Sequence, residues 1–425
     1  TKDGMYEGTP YPSSYETLSG TKSNPVMYWA KFSDLFYLNV GNMSNRFNVG
    51  TEWKIEGNRG IGQYDKTLKF KAFAQDRVRR FCDIPYMNQI SAYVEDNVVL
   101  TFSERRYPNI TGQVGVRWTV VQPWRNERMM ALSPRLNIAV NPERYLSLRL
   151  GYGISEKVPS LQDLYPSPDY YDFYNMSVSD GQKSYYLYST RVFDNKPVSI
   201  KTMRGTKYEL GFDVRLDNGM SFSVVGYHEK VSRGFGPDNS EWKTLVFDVW
   251  NAADVTFTGQ KPIYDQQNPS RRDTVLYNLI RPGNPKSRRN RGIEFDFNFG
   301  KINATNTSFY LSGAWSETRS SSSNLGYKLP VGEARNYGPV YVVYPESSYS
   351  FSESRRFSAT LRVVQHIPVI RFIVSASAQC ILYEYDHEVS SGTRPLGYIY
   401  GSEYIKFTED QLDDIEFNFH GYMLK

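Results

Sequence analysis

Apolar and polar residues alternate one for one along much of this chain. Within residues 46–56, Phe47, Val49, Trp53 and Ile55 fall on one side, and Asn48, Gly50, Glu52 and Lys54 on the other. Within 110–120, Val114, Val116, Trp118 and Val120 oppose Gln113, Gly115, Arg117 and Thr119. Leu146, Leu148, Leu150 and Tyr152 oppose Ser147, Arg149 and Gly151. Tyr208, Leu210, Phe212, Val214 and Leu216 oppose Glu209, Gly211, Asp213 and Arg215. The same period governs 293–299 and 357–363. Successive side chains of a β-strand point to opposite faces, so each segment predicts a strand with one apolar and one polar face. About twelve strands follow, over 33–40, 46–56, 89–98, 110–121, 133–140, 145–155, 206–216, 221–231, 291–299, 307–316, 356–366 and 370–382.

A soluble sheet would share the alternation. Two features weigh against it. The polar faces carry full charges beside Gly and Ser, and the strands run about nine to eleven residues, the tilted span of a bilayer. Connections also alternate in length. Asn141-Pro142-Glu143-Arg144, Asp217-Asn218-Gly219 and the bend at Pro368 are short, whereas 156–203, 232–290 and 317–355 are long and read as loops. Outer-membrane barrels have short periplasmic turns and long extracellular loops, and lipid leaves an open sheet edge no partner. The expected fold is therefore all-β, an antiparallel transmembrane β-barrel with long extracellular loops. Its Leu, Val and Phe rows would face lipid. Arg117, Arg149, Glu209, Arg215, Asp296 and Arg362 would face a wet lumen.

Composition narrows the function. Fifty Lys and Arg against 45 Asp and Glu leave +5 on 425 residues, which excludes a polybasic arm or an acidic tail and gives no reason to expect a nucleic-acid partner. Aromatics are 15% of the chain, 34 of them Tyr, which excludes disorder. Such Tyr suit a ring at the lipid headgroups, or the packing of long loops. Mean hydropathy is −0.54 and no stretch would make a membrane helix, a test that a barrel evades. Two Cys, Cys82 and Cys380, cannot build a disulfide framework, although one bridge between them stays open. The four His fall at no metal-ligand spacing, and there is no phosphate-binding Gly loop, nucleophile elbow or Cys-x-x-Cys. Neither an enzyme, a cofactor nor a metal site is expected. The acidic pair Asp413-Asp414 reads as a solvated loop ahead of a calcium site.

The 156–203 segment is the richest recognition candidate. It carries Tyr170, Tyr171, Tyr174, Tyr185 and Tyr186, whose flat faces and polar tips suit stacking on sugars or aromatic chelates. Packing the loop against itself is the other use of those rings. If the rings bind ligand, 169–188 should lie outside the cell and face the barrel axis. Arg281, Lys286, Arg288, Arg289 and Arg291 cluster near the return of the second long segment. They could attract an anionic ligand or the lipopolysaccharide phosphates at the rim, or simply be solvated.

The run Leu132-Ser133-Pro134-Arg135-Leu136-Asn137-Ile138-Ala139-Val140-Asn141-Pro142, followed by Leu146-Ser147-Leu148-Arg149-Leu150-Gly151-Tyr152-Gly153, resembles the barrel of TonB-dependent outer-membrane receptors. So do Lys157-Val158-Pro159-Ser160-Leu161-Gln162-Asp163-Leu164-Tyr165, Gln89-Ile90-Ser91-Ala92-Tyr93-Val94-Glu95-Asp96, Lys207-Tyr208-Glu209-Leu210-Gly211-Phe212 and Arg291-Gly292-Ile293-Glu294-Phe295, in the family's order. The long loops and many Tyr are similar to receptors of Bacteroidota. The resemblance implies a Gram-negative outer-membrane importer: a barrel of about 22 strands filled by an N-terminal plug. Its implied partners are the TonB energy-coupling complex, outer-membrane lipid and lipopolysaccharide, a small nutrient ligand of the siderophore, cofactor or oligosaccharide and peptide classes, and a surface lipoprotein. No plug or TonB box is recognisable, and the chain does not finish on a terminal aromatic. Residues 1–425 are thus expected to be a barrel domain without the plug and the last strands. A passive porin or plugless barrel, and a surface adhesin or structural barrel subunit, are the alternatives.

Overall fold

The computed structural model describes residues 4–8, 18–65, 77–102, 107–122, 129–328, 340–345, 351–388, 395–400 and 403–413. Along the chain come β1 (Gly4–Gly8), β2 (Ser19–Lys22), β3 (Pro25–Val40), β4 (Met43–Asn58), β5 (Gly62–Asp65), β6 (Met87–Leu100), β7 (Ile110–Gln122), β8 (Met130–Glu143) and β9 (Leu146–Lys157). A short helix α1 (Leu161–Leu164) leads to β10 (Asp169–Ser179), β11 (Ser184–Phe193), β12 (Met203–Arg215), β13 (Ser221–Val249), β14 (Arg271–Ile302) and β15 (Thr307–Ser322). β16 (Leu325–Lys328), β17 (Val340–Pro345), β18 (Phe351–Ile367), β19 (Phe372–Glu388), β20 (Gly397–Tyr400), β21 (Glu403–Lys406) and α2 (Glu409–Asp413) complete it.

One antiparallel sheet of twelve strands dominates, in the order β19-β18-β15-β14-β13-β12-β9-β8-β7-β6-β4-β3. Each of the twelve strands expected from the alternation is present. Among the described residues β3 and β19 bound the sheet, and almost every residue of both is exposed. The short turns fall where Gly and Pro predicted them. Gly219 takes φ +84 and Asn218 Oδ1 accepts the Met220 N–H at 3.1 Å. Pro368 opens a 3-10 turn that closes on Arg371 at φ +57.

Register converts the alternation into two surfaces. Leu148, Phe212, Val224 and Phe295 pair directly across β9, β12, β13 and β14, and Leu150, Leu210, Gly226 and Ile293 form the next row. Paired residues point the same way, so these rows make one continuous apolar face. Leu210 is 68% exposed and Ile293 50%. An apolar face of that extent left outside belongs against lipid. The opposite face holds the charges, and they meet each other. Arg117 Nη2 donates to Glu52 Oε2 at 2.7 Å, Arg149 Nε lies 2.6 Å from Asp213 Oδ2, and Lys207 Nζ lies 2.7 Å from Glu209 Oε1. The Arg362 guanidinium sits 4.4 Å above the Tyr310 ring.

The long connections differ from the expectation of loops. β13 and β14 run on through 232–249 and 271–290 as one hairpin, 29 and 32 residues long, where about eleven suffice to cross a bilayer. Gly234, Gly236, Pro237, Pro282, Gly283 and Pro285 read as breakers, but the ladder absorbs them as register shifts after Val231, Gly234 and Asp238. A bulge adds a residue to one strand without ending the pair. The 156–203 segment folds as the hairpin β10–β11, to which β1 adds a third strand. Between β15 and β18, β16 and β17 join β20 and β21 in a four-stranded sheet.

Glycines let aromatic rings lie across the strands. A Cβ on Gly50 would meet the Tyr93 ring and the Phe32 carbonyl at 2.5–2.7 Å. On the outer face, a Cβ on Gly313 would meet the Phe295 ring at 2.5 Å and the Ser358 carbonyl oxygen at 2.7 Å. The ring could swing away, but the backbone carbonyl cannot. Gly313→Val is therefore expected to destabilise the barrel by about 1–3 kcal/mol, read as a lower midpoint in detergent unfolding. An unchanged midpoint would show that the strands separate at no cost here.

Candidate ligand-binding site

The 156–203 segment is built onto the protruding hairpin of β13 and β14. Ser160 and Asp163 form a reciprocal cap at α1, with Asp163 Oδ2 accepting the Ser160 N–H at 2.9 Å. That turn directs Leu164 into a cluster with Met87, Val121, Met129 and Ile200. The Asn175 side chain then donates to the Asp248 carbonyl at 2.7 Å, and Trp250 N–H to the Asn175 carbonyl at 2.9 Å. Asp180 Oδ1 accepts the N–H groups of Lys183 and Gln182 at 2.7 and 2.9 Å, closing the hairpin turn. Those two donors hold its carboxyl below the usual carboxylate range.

The five named tyrosines divide. Tyr185 is buried with Met176, Val178, Leu187 and Trp250, so this ring packs the hairpin onto the β13–β14 tip. Tyr174 and Tyr186 are on the other side, with ring centroids 6.0 Å apart, and Tyr188 lies 5.4 Å from Tyr174. Tyr188 belongs to this platform and was not among the sequence candidates. Its place was legible in the alternation Ser184, Tyr186, Tyr188 opposite Tyr185 and Leu187. Tyr170 and Tyr171 lie at the root of the hairpin, where they line a cavity of 460 Å³ with Gln63, Arg77, Arg79 and Ser167. The Arg77 guanidinium sits 5.2 Å over the Tyr170 ring and also pairs with buried Asp172. Tyr171 meets Tyr277 edge-on at 5.2 Å. Tyr277 donates to Asp169, and burial followed by that hydrogen bond pushes its phenol well above the ordinary value.

A larger cavity, 640 Å³, opens on the charged face where β9, β12, β13, β14, β15 and β18 leave the apolar band. Lys157, Lys286 and Arg288 line it together with Glu229, Phe235 and Ser320. Glu156, on its wall, accepts from Thr202 Oγ1 at 3.0 Å and Arg233 Nη2 at 3.3 Å, and lies 3.8 Å from Arg204. Those contacts occupy its carboxylate, while Glu229 accepts from Asn290 Nδ2 at 2.8 Å.

The basic run 281–291 is thus no single cluster. A strand alternates its side chains, so Lys286 and Arg288 turn to the charged face, whereas Arg289 and Arg291 turn to the apolar one. Arg281 pairs with Glu241 at 2.9 Å. His228 lies within β13, paired with Tyr208 and Arg291. Cys82 and Cys380 are both exposed and free. Among the described residues no group of His, Cys, Asp or Glu could hold a metal ion, and α2 carries Asp413. Asp414 lies outside the described residues.

An amphipathic antiparallel sheet with an outward apolar face and a charged inner one defines a membrane β-barrel. Residues 3–363 match the family described as TonB dependent receptor-like, beta-barrel, and the chain belongs to that family. The family is one of Gram-negative outer-membrane transport receptors and not of enzymes. A comparison with curated proteins gives no match. Among solved structures, the siderophore receptor PirA from Acinetobacter baumannii is 14% identical, with 81% of this chain and 50% of that one covered at a TM-score of 0.43. A mutant ferric enterobactin receptor from Pseudomonas aeruginosa in complex with enterobactin is 13% identical, over 86% of this chain and 46% of that one, at 0.42. The RagAB peptide importer is 9% identical over 81% and 41%, also at 0.42. The chain spans about half the length of these structures.

Proposed function

We propose that this chain is the barrel portion of a TonB-dependent importer that takes up a small anionic nutrient from outside the cell. The observation carrying this reading is the 640 Å³ cavity on the charged face, with Lys157, Lys286 and Arg288 on its wall. Cations converging on a recessed site concentrate the field on an anion. The long hairpins stand at that end of the strands, and long connections belong to the cell exterior in such barrels. Tyr174, Tyr186 and Tyr188 supply a stacking surface on the β10–β11 hairpin, and Tyr170 and Tyr171 a second one at the hairpin root. A siderophore, an anionic cofactor and an acidic oligosaccharide or peptide all fit this chemistry. Energy comes from the TonB complex acting on a plug, and a surface lipoprotein capping the hairpins is compatible with their reach. Lipid leaves an open ladder without partners, so β3 and β19 are closed by further strands toward the family's full barrel.

Uptake by cells carrying the protein tests this. Lys157→Gln/Lys286→Gln/Arg288→Gln is expected to lower uptake of the anionic nutrient by about tenfold, the equivalent of about 1.4 kcal/mol. Collapsing the proton gradient is expected to stop uptake altogether. Uptake that continues without the gradient defines a passive porin and overturns the importer. A triple variant importing at the wild-type rate removes the anion site.

A further inference from the structure

The 640 Å³ cavity does not stand alone. A recess of 230 Å³ adjoins it on the charged face and shares Ser155 and Glu229 with it. A third, of 440 Å³, adjoins that recess and shares Asn137, Gly151 and Glu209. The three follow one another toward the short turns. β9 shows the direction: Ser155 lines the first, Gly153 the second and Arg149 the third, and the strand rises from the short turn at its Leu146 end. From Lys157 to Arg149 is eight residues, which at about 3.4 Å each and a tilt near 40° spans about 20 Å. The series therefore covers most of the height of the barrel wall.

Register hollows out the middle of this series. Gly153 pairs with Arg135 on β8 and with Lys207 on β12, and Gly151 pairs with Asn137 and Glu209. Paired residues point the same way, so two missing side chains leave a trough between two polar walls. The backbone does not demand a glycine at the upper position. A Cβ on Gly153 would meet nothing nearer than 3.8 Å. What the glycine provides is the open space itself.

The charge along the trough is graded. Lys157, Lys286 and Arg288 stand at its upper end. In the middle recess Arg135 has no ion-pair partner among the described residues, whereas Lys207 Nζ lies 2.7 Å from Glu209 Oε1. At the lower end Arg149 Nε lies 2.6 Å from Asp213 Oδ2, and Arg149 Nη2 donates to Ser223 Oγ at 3.2 Å. Each recess thus offers an anion at least one cation, and carboxylates offset the cations more fully on the way down. Passage needs sites strong enough to admit an ion and weak enough to release it to the next. A graded series of cations meets that requirement for anions and repels cations.

We propose that the trough is a relay for anions, with two subsites beyond the cavity, one between Arg135 and Lys207 and one at Arg149. A carboxylate, sulfonate or phosphate group held in the cavity steps down the wall of β8, β9 and β12 through them. The relay rests on the reading of the cavity as the outer anion site.

The test uses the whole protein in respiring cells that lack general porins, in a Cys82→Ser/Cys380→Ser background. Two methanethiosulfonate probes of similar size, one bearing a sulfonate and one a quaternary ammonium, are added from outside. Ser320→Cys reports on the cavity, Gly153→Cys on the middle recess and Ala139→Cys, beside Arg149, on the lower one. At all three the sulfonate probe is expected to react about tenfold faster than the ammonium probe. Ala314→Cys, on the same face of β15 between Glu294 and Ser358, should show no such preference. Adding Arg135→Gln/Lys207→Gln should abolish the preference at Gly153→Cys and keep it at Ser320→Cys, and Arg135→Lys should preserve it. Adding Gly153→Phe should slow the sulfonate probe at Ala139→Cys about tenfold or more and leave Ser320→Cys unchanged. An Ala139→Cys rate unaffected by Gly153→Phe, an equal sulfonate preference at Ala314→Cys, or a Gly153→Cys that neither probe reaches overturns the relay. Failure of the import reading is distinguishable. It appears in uptake, as indifference to the proton gradient or to loss of Lys157, Lys286 and Arg288, whereas the relay is read on thiol labelling at Gly153 and Ala139.

Discussion

Leu148→Arg and Phe212→Arg are each expected to destabilise the folded barrel by about 2–4 kcal/mol, whereas Ser147→Arg leaves its stability nearly unchanged. Leu148 and Phe212 are direct partners across β9 and β12, in the row that continues through Val224 and Phe295. Both project from the apolar face, Leu148 at 45% exposure and Phe212 at 41%. In lipid such exposure costs nothing, and a guanidinium placed there has no water to hydrate it. Ser147 is one residue away and pairs with Asp213 on the charged face, so an arginine at that position finds a carboxylate and a wet lumen. Folding titrations in lipid vesicles measure the contrast. Equal penalties for Leu148 and Ser147 would mean that the two faces do not meet different solvents.

Tyr185→Ala is expected to loosen the β10–β11 hairpin, and Tyr174→Ala/Tyr186→Ala/Tyr188→Ala to leave it folded while lowering ligand uptake. Tyr185 is 8% exposed and fills the space among Met176, Val178, Leu187 and Trp250, with Phe257 at 6.3 Å. Removing a buried aromatic of this kind costs about 3–5 kcal/mol, much of a hairpin's local stability. Amide exchange on 169–193 should rise in that variant and not in the triple one. The three platform rings stack on one another, and each lost stacking partner is worth about 0.5–1.5 kcal/mol to a bound ring or sugar face. Single changes there should be almost silent, and the triple change should be visible in uptake. If the triple variant imports normally with its hairpin intact, the platform is not a contact surface. If it loses the hairpin instead, these rings are structural like Tyr185.

Local alternation by itself determined the fold class, the twelve sheet strands, their two faces and the tight turns at Gly219 and Pro368. A two-residue period is a property of neighbouring residues, and one face in lipid with one in water demands it at every crossing. The ion pairs Glu52–Arg117 and Arg149–Asp213 were foreshadowed as charges on the inner side, though not as partners, because partnership needs register. Tertiary structure decided the rest. Glycines and prolines in 232–290 carry the local signature of a loop, and only cross-strand pairing with a tolerant bulge turns them into an extended hairpin. Tyr174 and Tyr185 look alike in sequence, and burial separates them because Trp250 and Phe257, far along the chain, cover one side of the hairpin and not the other. The basic run 281–291 reads as one patch in sequence. On β14 it becomes two, with Lys286 and Arg288 turned to the cavity and Arg289 and Arg291 turned to the apolar face. Glu317, Arg319 and Arg355 meet only because β15 and β18 bring them to the same height, a coincidence of strand register that no local pattern encodes.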